Sequence, residues 1–202
     1  MTILIAVPFV LLGYLLGAIP MGKIVARLNG GDIQAVGSGN IGATNVLRSV
    51  GVVPAIIVAL TDPLKGAIAS LVPMLLGMDP WIVVFTAFAT VLGNNFNVFL
   101  GFRGGKGIAT SFGVFVVINP TVSLVGLAMA LITMAMGRYV SLGSMVGMIS
   151  APLFLLASGS FAVPDLALTT ALALLAGYRH RENLRKLAKG TERRLGEKSE
   201  PR

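Results

Sequence analysis

The sequence predicts an all-α, polytopic integral membrane protein. It has seven transmembrane helices, some short or broken, with the N-terminus outside and the C-terminus in the cytoplasm. Three observations carry this expectation. Of 202 residues, 55% are hydrophobic and 12% are charged, against about 25% charged in a soluble domain. The mean hydropathy is +0.86. Apolar stretches recur along the chain, and basic residues gather in alternate connections between them. Too little polar surface exists to cover a water-facing exterior, and lipid is the solvent that resolves this. Residues 1–202 read as one transmembrane domain, with 179–202 a basic cytoplasmic tail. The opening Met1-Thr2-Ile3-Leu4 carries no basic segment of the kind that starts a cleaved signal peptide.

The seven stretches are Ile3–Ile24, Ser49–Leu76, Trp81–Leu100, Ile108–Ile118, Thr121–Met136, Leu142–Ala157 and Pro164–Tyr178. A spanning helix needs roughly 20 residues, so several are short, and Ile108–Ile118 is the weakest. Five spans remain open if two stretches are half-helices. Charge sets the orientation. The turns near Gly77–Pro80, Asn119–Pro120 and Gly159–Asp165 hold no Lys or Arg, whereas fifteen of the sixteen basic residues fall in the other connections and the tail. Lys and Arg accumulate on the cytoplasmic side. The net charge of +8 is therefore read as membrane topology, and no nucleic-acid partner is expected. Gly13 and Gly17, and Gly143 and Gly147, have the GxxxG spacing that lets helices approach closely. In stretch two, Pro63 is expected to break the helix, with Asp62 and Lys65 neutralising each other three residues apart. In 181–189, Leu184, Leu187 and Ala188 share one face among basic residues, as in a helix lying on an anionic leaflet.

The inner connections carry the chemistry. The first reads Gly37-Ser38-Gly39-Asn40-Ile41-Gly42-Ala43-Thr44-Asn45-Val46-Leu47-Arg48. It contains a G-x-G-x-x-G, but without the strand and βαβ setting of a dinucleotide fold. The physics of that motif still applies: glycines bring backbone N–H groups to an anion, a helix starting near Thr44 adds its dipole, and Arg48 can pair with phosphate through two parallel hydrogen bonds. The second reads Gly101-Phe102-Arg103-Gly104-Gly105-Lys106-Gly107. It is no Walker A loop, yet its glycines can form a nest of N–H groups around an anion, with Lys106 as a point charge. Just upstream, Asn94, Asn95 and Asn97 place amides near the inner end of stretch three, and intramembrane polar groups mark function. Ser141 and Ser144 lie one turn apart on the next helix, Ser141 either as an N-cap or in the site. His180, the only histidine, and Asn183 share a helical face where the last stretch leaves the membrane.

What is missing narrows the chemistry. There is no cysteine and hence no thiolate nucleophile. Eight acidic residues, mostly in turns and tail, supply no cluster for two magnesium ions. No His-x-x-x-x-Asp pair occurs, since Arg185 stands five residues after His180. No metal and no cofactor are expected.

These motifs resemble the acyl-phosphate:glycerol-3-phosphate acyltransferase family of bacterial membranes (PlsY). The likeness covers Gly37–Arg48, Asp62–Gly66, Gly93–Thr110, Arg138–Ser144 and His180–Glu192, in order and spacing. One departure is visible: the family's Gly-His-x-Phe-Pro is here Gly93-Asn94-Asn95-Phe96-Asn97. The resemblance implies transfer of a fatty acyl group from acyl phosphate to the 1-hydroxyl of glycerol 3-phosphate. The products are lysophosphatidic acid and phosphate, in the first acylation of phospholipid synthesis. It implies a multi-pass protein of the bacterial inner membrane with its site at the cytoplasmic face, touching membrane lipid and, transiently, the soluble enzyme that makes acyl phosphate. It implies substrate-assisted, metal-independent catalysis, in which the donor's own phosphate takes the hydroxyl proton. Ser38 and Arg48 are assigned to one phosphate. Lys106 and the N–H groups of Gly104, Gly105 and Gly107 take the other phosphate and the developing oxyanion. Ser144, His180 and Asn183 orient the glycerol phosphate or the acyl carbonyl. Gly37, Gly39, Asn40, Gly42, Thr44, Asn45 and Ser141 complete the expected binding wall; which loop takes which phosphate stays open. Three rival classes are a small-anion transporter of the inner membrane, an enzyme using acyl-CoA or a CDP-alcohol, and a purely structural membrane protein, which would not need the glycine–cation loops. Polar motifs gathered at one membrane face disfavour the first, since transporter sites lie near the midplane between repeats. The missing dyad and acid cluster disfavour the second.

Overall fold

The computed structural model describes residues 2–197, so the expected tail is seen to Glu197, and residues 198–202 lie outside the described residues. The described chain is helical: α1 (Thr2–Gly17), α2 (Met21–Leu28), α3 (Ala43–Ser49), α4 (Val52–Leu75), α5 (Pro80–Asn95), α6 (Ile108–Ile118), α7 (Pro120–Gly137), α8 (Val140–Ser158), α9 (Val163–Arg179) and α10 (Arg181–Ala188), with one 3-10 turn at Val98–Leu100. Two starts on the side without Lys or Arg use the same device. Asp79 accepts the Trp81 N–H at 2.8 Å before Pro80, and Asn119 accepts the Val122 N–H at 3.1 Å before Pro120. Each side-chain oxygen satisfies a first-turn donor, and proline suits the first helical position because its N–H would be orphaned there.

Among the described residues, five helical segments are long and apolar enough to cross a membrane: Leu4–Leu28, Val52–Leu75, Pro80–Leu100, Pro120–Gly137 and Val140–Ser158. The other two expected stretches correspond to α6, of 11 residues, and α9, of 17. At 1.5 Å per residue α6 is roughly 16 Å long, about half a hydrocarbon core.

Glycines set how closely the helices pack. A Cβ on Gly17 would overlap the Thr90 carbonyl, and one on Gly13 would lie 2.7 Å from the Thr86 carbonyl oxygen, so α1 lies flat against α5. Gly147 and Gly126 do the same for α8 and α7, with a Cβ on Gly147 falling 2.6 Å from the Gly126 oxygen. Both GxxxG expectations are met. A third contact, Gly66 of α4 against Thr110 and Gly113 of α6 against Pro63, holds the short helix to the long one. The main core runs between α5, α6, α8 and α9, through Val91, Val114, Phe115, Ala151, Leu155, Leu168 and Leu172. A smaller cluster of Val25, Ile33, Ile41, Val46 and Val58 supports the first inner loop. Outward faces stay apolar, as at Leu60, Leu64 and Leu75 of α4, where lipid is the solvent.

Pro63 does not break its helix: α4 continues from Val52 to Leu75 with Pro63 and Pro73 inside. The breaking rule comes from water, which would satisfy the backbone groups released by a break. In a membrane those groups have no such partner, so the helix absorbs the proline. The predicted ion pair is present. Lys65 Nζ lies 2.6 Å from Asp62 Oδ1 and donates to the Ile19 carbonyl at 3.0 Å, just beyond the end of α1.

Candidate active site

The first glycine loop is built around one asparagine. Asn45 is 4% exposed. Its Oδ1 accepts the Ser38 N–H at 3.1 Å, and its Nδ2 donates to the carbonyls of Ile33, Val36 and Asn40 at 3.2, 3.1 and 2.9 Å. Four bonds from one side chain tie the preceding loop to the start of α3. Gly37 and Gly39 have φ of 62° and 69°, a region where a side chain is strained. Asn40 Oδ1 accepts the Gly42 N–H at 2.9 Å, and α3 then begins at Ala43 with Arg48 in its last turn.

The second loop starts from the departure noted above. Asn97, standing where the family has proline, accepts the Phe99 N–H at 3.0 Å and donates to the Ala18 carbonyl at 2.6 Å. It caps the 3-10 turn and fastens it to the end of α1. The chain then returns beneath α5. Gly104 N–H donates to Asn95 O at 3.2 Å, and Gly105 N–H to Asn94 O at 2.8 Å. Arg179 donates to the carbonyls of Gly104 and Gly105, at 3.1 and 2.8 Å, and its guanidinium lies 5.3 Å from the Phe96 ring centroid. This corrects the expected nest. The N–H groups of Gly104 and Gly105 are consumed by the end of α5, which leaves orphan carbonyls there. Gly104 is glycine because a Cβ would overlap the Asn94 carbonyl. Gly107, at φ 77°, turns the chain into α6.

The two loops, α8 and the α9–α10 elbow close around a cavity of about 430 Å³. Its polar end is lined by Ser38, Asn40, Gly42, Thr44, Asn45, Arg48, Gly105, Lys106, Gly107, Ser141, Ser144, His180 and Asn183. The rest of the wall is mainly apolar, with Ala59, Pro63, Phe112, Phe115, Leu127, Ala130, Met134 and Met148, and also holds Asp62 and Ser123. Three expected residues fall outside this wall: Gly37 and Gly39 shape the turn, and Gly104 packs behind the loop. Ser141 is not an N-cap, since Tyr139 precedes the helix; its Oγ donates to Glu192 Oε1 at 2.6 Å.

Lys106 Nζ donates to Asn183 Oδ1 at 2.6 Å, and Asn183 Nδ2 donates to Glu192 Oε1 at 2.7 Å. Burial lowers the lysine to about 8; Glu192 opposes the shift, while Arg179, Lys186 and Arg48 add to it. His180 is 2% exposed. Its Nδ1 lies 2.8 Å from the Ala176 carbonyl, which can only accept, so the neutral ring carries its proton on Nδ1 and a lone pair on Nε2. Burial, followed by the charge of Lys106, brings its pKa down to about 4. Burial also lowers Arg48, with the charge of Arg193 next. Arg48 Nη2 donates to the Arg194 carbonyl at 3.1 Å, and Leu195 N–H to the Arg138 carbonyl at 2.6 Å. The segment after α10 thus crosses the polar end, where Glu192 and Arg193 join the wall. Sequence reading assigned no site role to Glu192, Arg193 or Arg179. The turn at Gly190-Thr191 was the available signal that the tail folds back.

The profile of the family described as glycerol-3-phosphate acyltransferase matches residues 7–190. The chain is 50% identical, over 98% of both chains, to a glycerol-3-phosphate acyltransferase of Thermus thermophilus. It is 43% identical to one of Aquifex aeolicus, over 92% of this chain and 97% of that one. Two crystal structures of PlsY (YgiH), an integral membrane glycerol 3-phosphate acyltransferase, superpose on it. The glycerol 3-phosphate form has a TM-score of 0.90 at 43% identity, over 95% of this chain and 96% of that one. The lysophosphatidic acid form has 0.87 at 42%, over 95% of each. The chain belongs to the glycerol-3-phosphate acyltransferase family.

Proposed function

We propose that this protein acylates the 1-hydroxyl of glycerol 3-phosphate from an acyl phosphate, releasing lysophosphatidic acid and inorganic phosphate without a metal ion. The observation that carries the reading is a cavity with Arg48 and Lys106 at one end and an aliphatic and aromatic lining at the other. A molecule that joins a phosphate to a long acyl chain matches both ends, and a small polyol phosphate matches the cationic end alone. The family and the related structures support the acceptor and the product; the acyl-phosphate donor is our own reading, supported by a cavity that offers both cations and an apolar lining.

Acyl phosphate is a mixed anhydride. The glycerol 1-hydroxyl attacks the acyl carbon, the carbonyl–phosphate C–O bond breaks, and the departing phosphate accepts the hydroxyl proton. A protein catalysing this step supplies position and charge. The side chains fit that demand. His180, with a pKa of about 4, is too weak a base to remove a hydroxyl proton, but its Nε2 can accept a hydrogen bond that aims the hydroxyl. Arg48 and Ser38 take one phosphate, Lys106 with Gly107 the other. Asn183 and Glu192 hold Lys106 in place, and Ser144 faces the same end. Asn45 acts through the loop, as the residue that positions Ser38.

The orientation follows charge. Arg48, Lys106, Arg138 and the tail all lie at the site's end, which we place at the cytoplasmic face of the bacterial inner membrane, with α6 and α9 as the two short crossings of seven. Acyl phosphate made by a soluble enzyme then reaches the site from that side. The test is phosphate release by purified protein given palmitoyl phosphate, with and without glycerol 3-phosphate. The expected result is acceptor-dependent release, equal in amount to lysophosphatidic acid and unaffected by chelator. Transfer from palmitoyl-CoA alone would refute the donor, and loss of activity in chelator with rescue by magnesium would refute metal independence.

A further inference from the structure

Two side chains in the cavity wall have buried polar atoms with nothing to bind. Asn94 is 3% exposed and Thr110 is fully buried; both line the cavity. Among the described residues, Asn94 Oδ1 and Thr110 Oγ1 have no hydrogen-bond partner. Other helix hydroxyls in this protein show the usual solution. Thr61, Thr86, Thr90, Thr133 and Thr169 each donate to the carbonyl four residues back, at 2.7–2.9 Å. Thr110, at the third position of α6, does not. An unpaired buried polar group costs roughly 1–3 kcal/mol, so each is strained against folding unless a ligand completes it.

Their place indicates which ligand atom does so. Asn94, the last residue but one of α5, stands directly behind Gly105, where a Cβ would lie 2.8 Å from its Nδ2. Thr110 stands in the first turn of α6, after Lys106 and Gly107 and before Phe112 and Phe115. Along α6 the wall changes there from Lys106 and Gly107 to the rings of Phe112 and Phe115. In an acyl donor held phosphate-first at Lys106, the atom at that boundary is the carbonyl that joins phosphate to chain. The donors otherwise expected for it, the N–H groups of Gly104 and Gly105, are spent on Asn95 and Asn94.

Building on the acyl-transfer reading, we propose that Asn94 and Thr110 receive the carbonyl oxygen of the acyl donor and stabilise the negative charge it gains as the hydroxyl adds. The Thr110 O–H donates. The Asn94 amide, whose oxygen and nitrogen exchange places by a half-turn of the group, donates an N–H. No proton leaves either group. Such a seat works in the transition state more than in the ground state.

The test uses the full-length protein in lipid vesicles with Thr110→Val, Asn94→Leu and, should leucine prevent folding, Asn94→Ala. Thr110→Val removes an unpaired buried hydroxyl at nearly constant volume, so its melting temperature is expected to hold or rise. Turnover is expected to fall about 10²-fold, with KM for glycerol 3-phosphate changed by less than about twofold. Turnover within about threefold of the parent in folded variants would overturn the proposal. A raised KM for glycerol 3-phosphate at intact turnover would overturn it too, by assigning the pair to the acceptor. A melting temperature falling in step with activity would make the role structural. The carbonyl is common to acyl phosphate and acyl thioester. Unsubstituted protein that turns over only the thioester refutes the donor, and the same variants then test the seat with that donor.

Discussion

Lys106 should titrate within the pH range of a rate assay. Its ammonium is buried and oriented by a neutral oxygen, Asn183 Oδ1 at 2.6 Å, and burial brings it down to about 8. Because kcat/KM reports the free enzyme, the competent, charged fraction should be about one half at pH 8 and about one tenth at pH 9. A phosphate dianion against Nζ raises the lysine pKa in the complex, so the alkaline limb of kcat should lie higher than that of kcat/KM. The interval between the two limbs measures the lysine–phosphate interaction, at about 1.4 kcal/mol per pH unit.

The assay is the initial rate of lysophosphatidic acid formation between about pH 6.5 and 9.5, with protein-free blanks for hydrolysis of the donor. Lys106→Arg keeps a charge at every pH and should remove the limb even where its plateau is lower. A parent kcat/KM that stays flat through about pH 9.5, or an identical limb in Lys106→Arg, would refute the argument.

Arg48→Ala should cost about 1.5–3 kcal/mol of binding or transition-state energy, read as a fall in kcat/KM of roughly 10- to 150-fold; Arg48→Lys, which loses the two-pronged geometry, should recover only part. Asn45→Ala removes the four bonds its side chain makes to the first loop, so melting temperature and turnover should fall together, and a variant as stable as the parent would contradict the scaffold role. His180 has a folded pKa of about 4, below its unfolded value of about 6.5. The unfolded chain therefore takes the proton first, and this part of the stability is whole above about pH 6.5 and is lost as pH falls toward 4. In His180→Phe the melting temperature should depend less on pH between about 7 and 5, while activity drops for want of the Nε2 acceptor; an unchanged slope would show that another group titrates.

Helices were legible because lipid leaves few alternatives: an apolar run of sufficient length must close its backbone bonds internally. The polar ends of those runs were legible for the complementary reason, and Ser38, Arg48, Lys106, Ser144, His180 and Asn183 do meet in one cavity. The glycines were not separable. Gly37 and Gly39 serve a left-handed turn, Gly104 a close approach to the Asn94 carbonyl, and Gly107 a helix start. One residue type answers three physical needs, and which need applies depends on neighbours distant in sequence. Pro63 misled because its rule presumes water. Glu192 was missed because its partner Ser141 lies 51 positions away, across a tail whose basic composition suggested a membrane-surface role rather than a wall of the site.

The neighbours of each cation also separate structural from functional charge. Among the described residues, carboxylates form salt bridges at two places, Lys65 with Asp62 and Arg185 with Glu182. Lys65 is thereby neutralised within α4 and has no charge to offer a phosphate. The site's cations are held differently. Lys106 donates to an amide oxygen, and Arg48 and Arg179 donate to backbone carbonyls. Of the two carboxylates that line the cavity, Asp62 pairs with Lys65, and Glu192 is engaged by the neutral donors Ser141 and Asn183. Neutral acceptors fix the direction of a cation without cancelling its charge, and a partly buried charge so held interacts strongly with the next anion to arrive. The proposed two-phosphate site gains from this arrangement, because the contacts that orient Lys106, Arg48 and Arg179 pair none of them with a carboxylate.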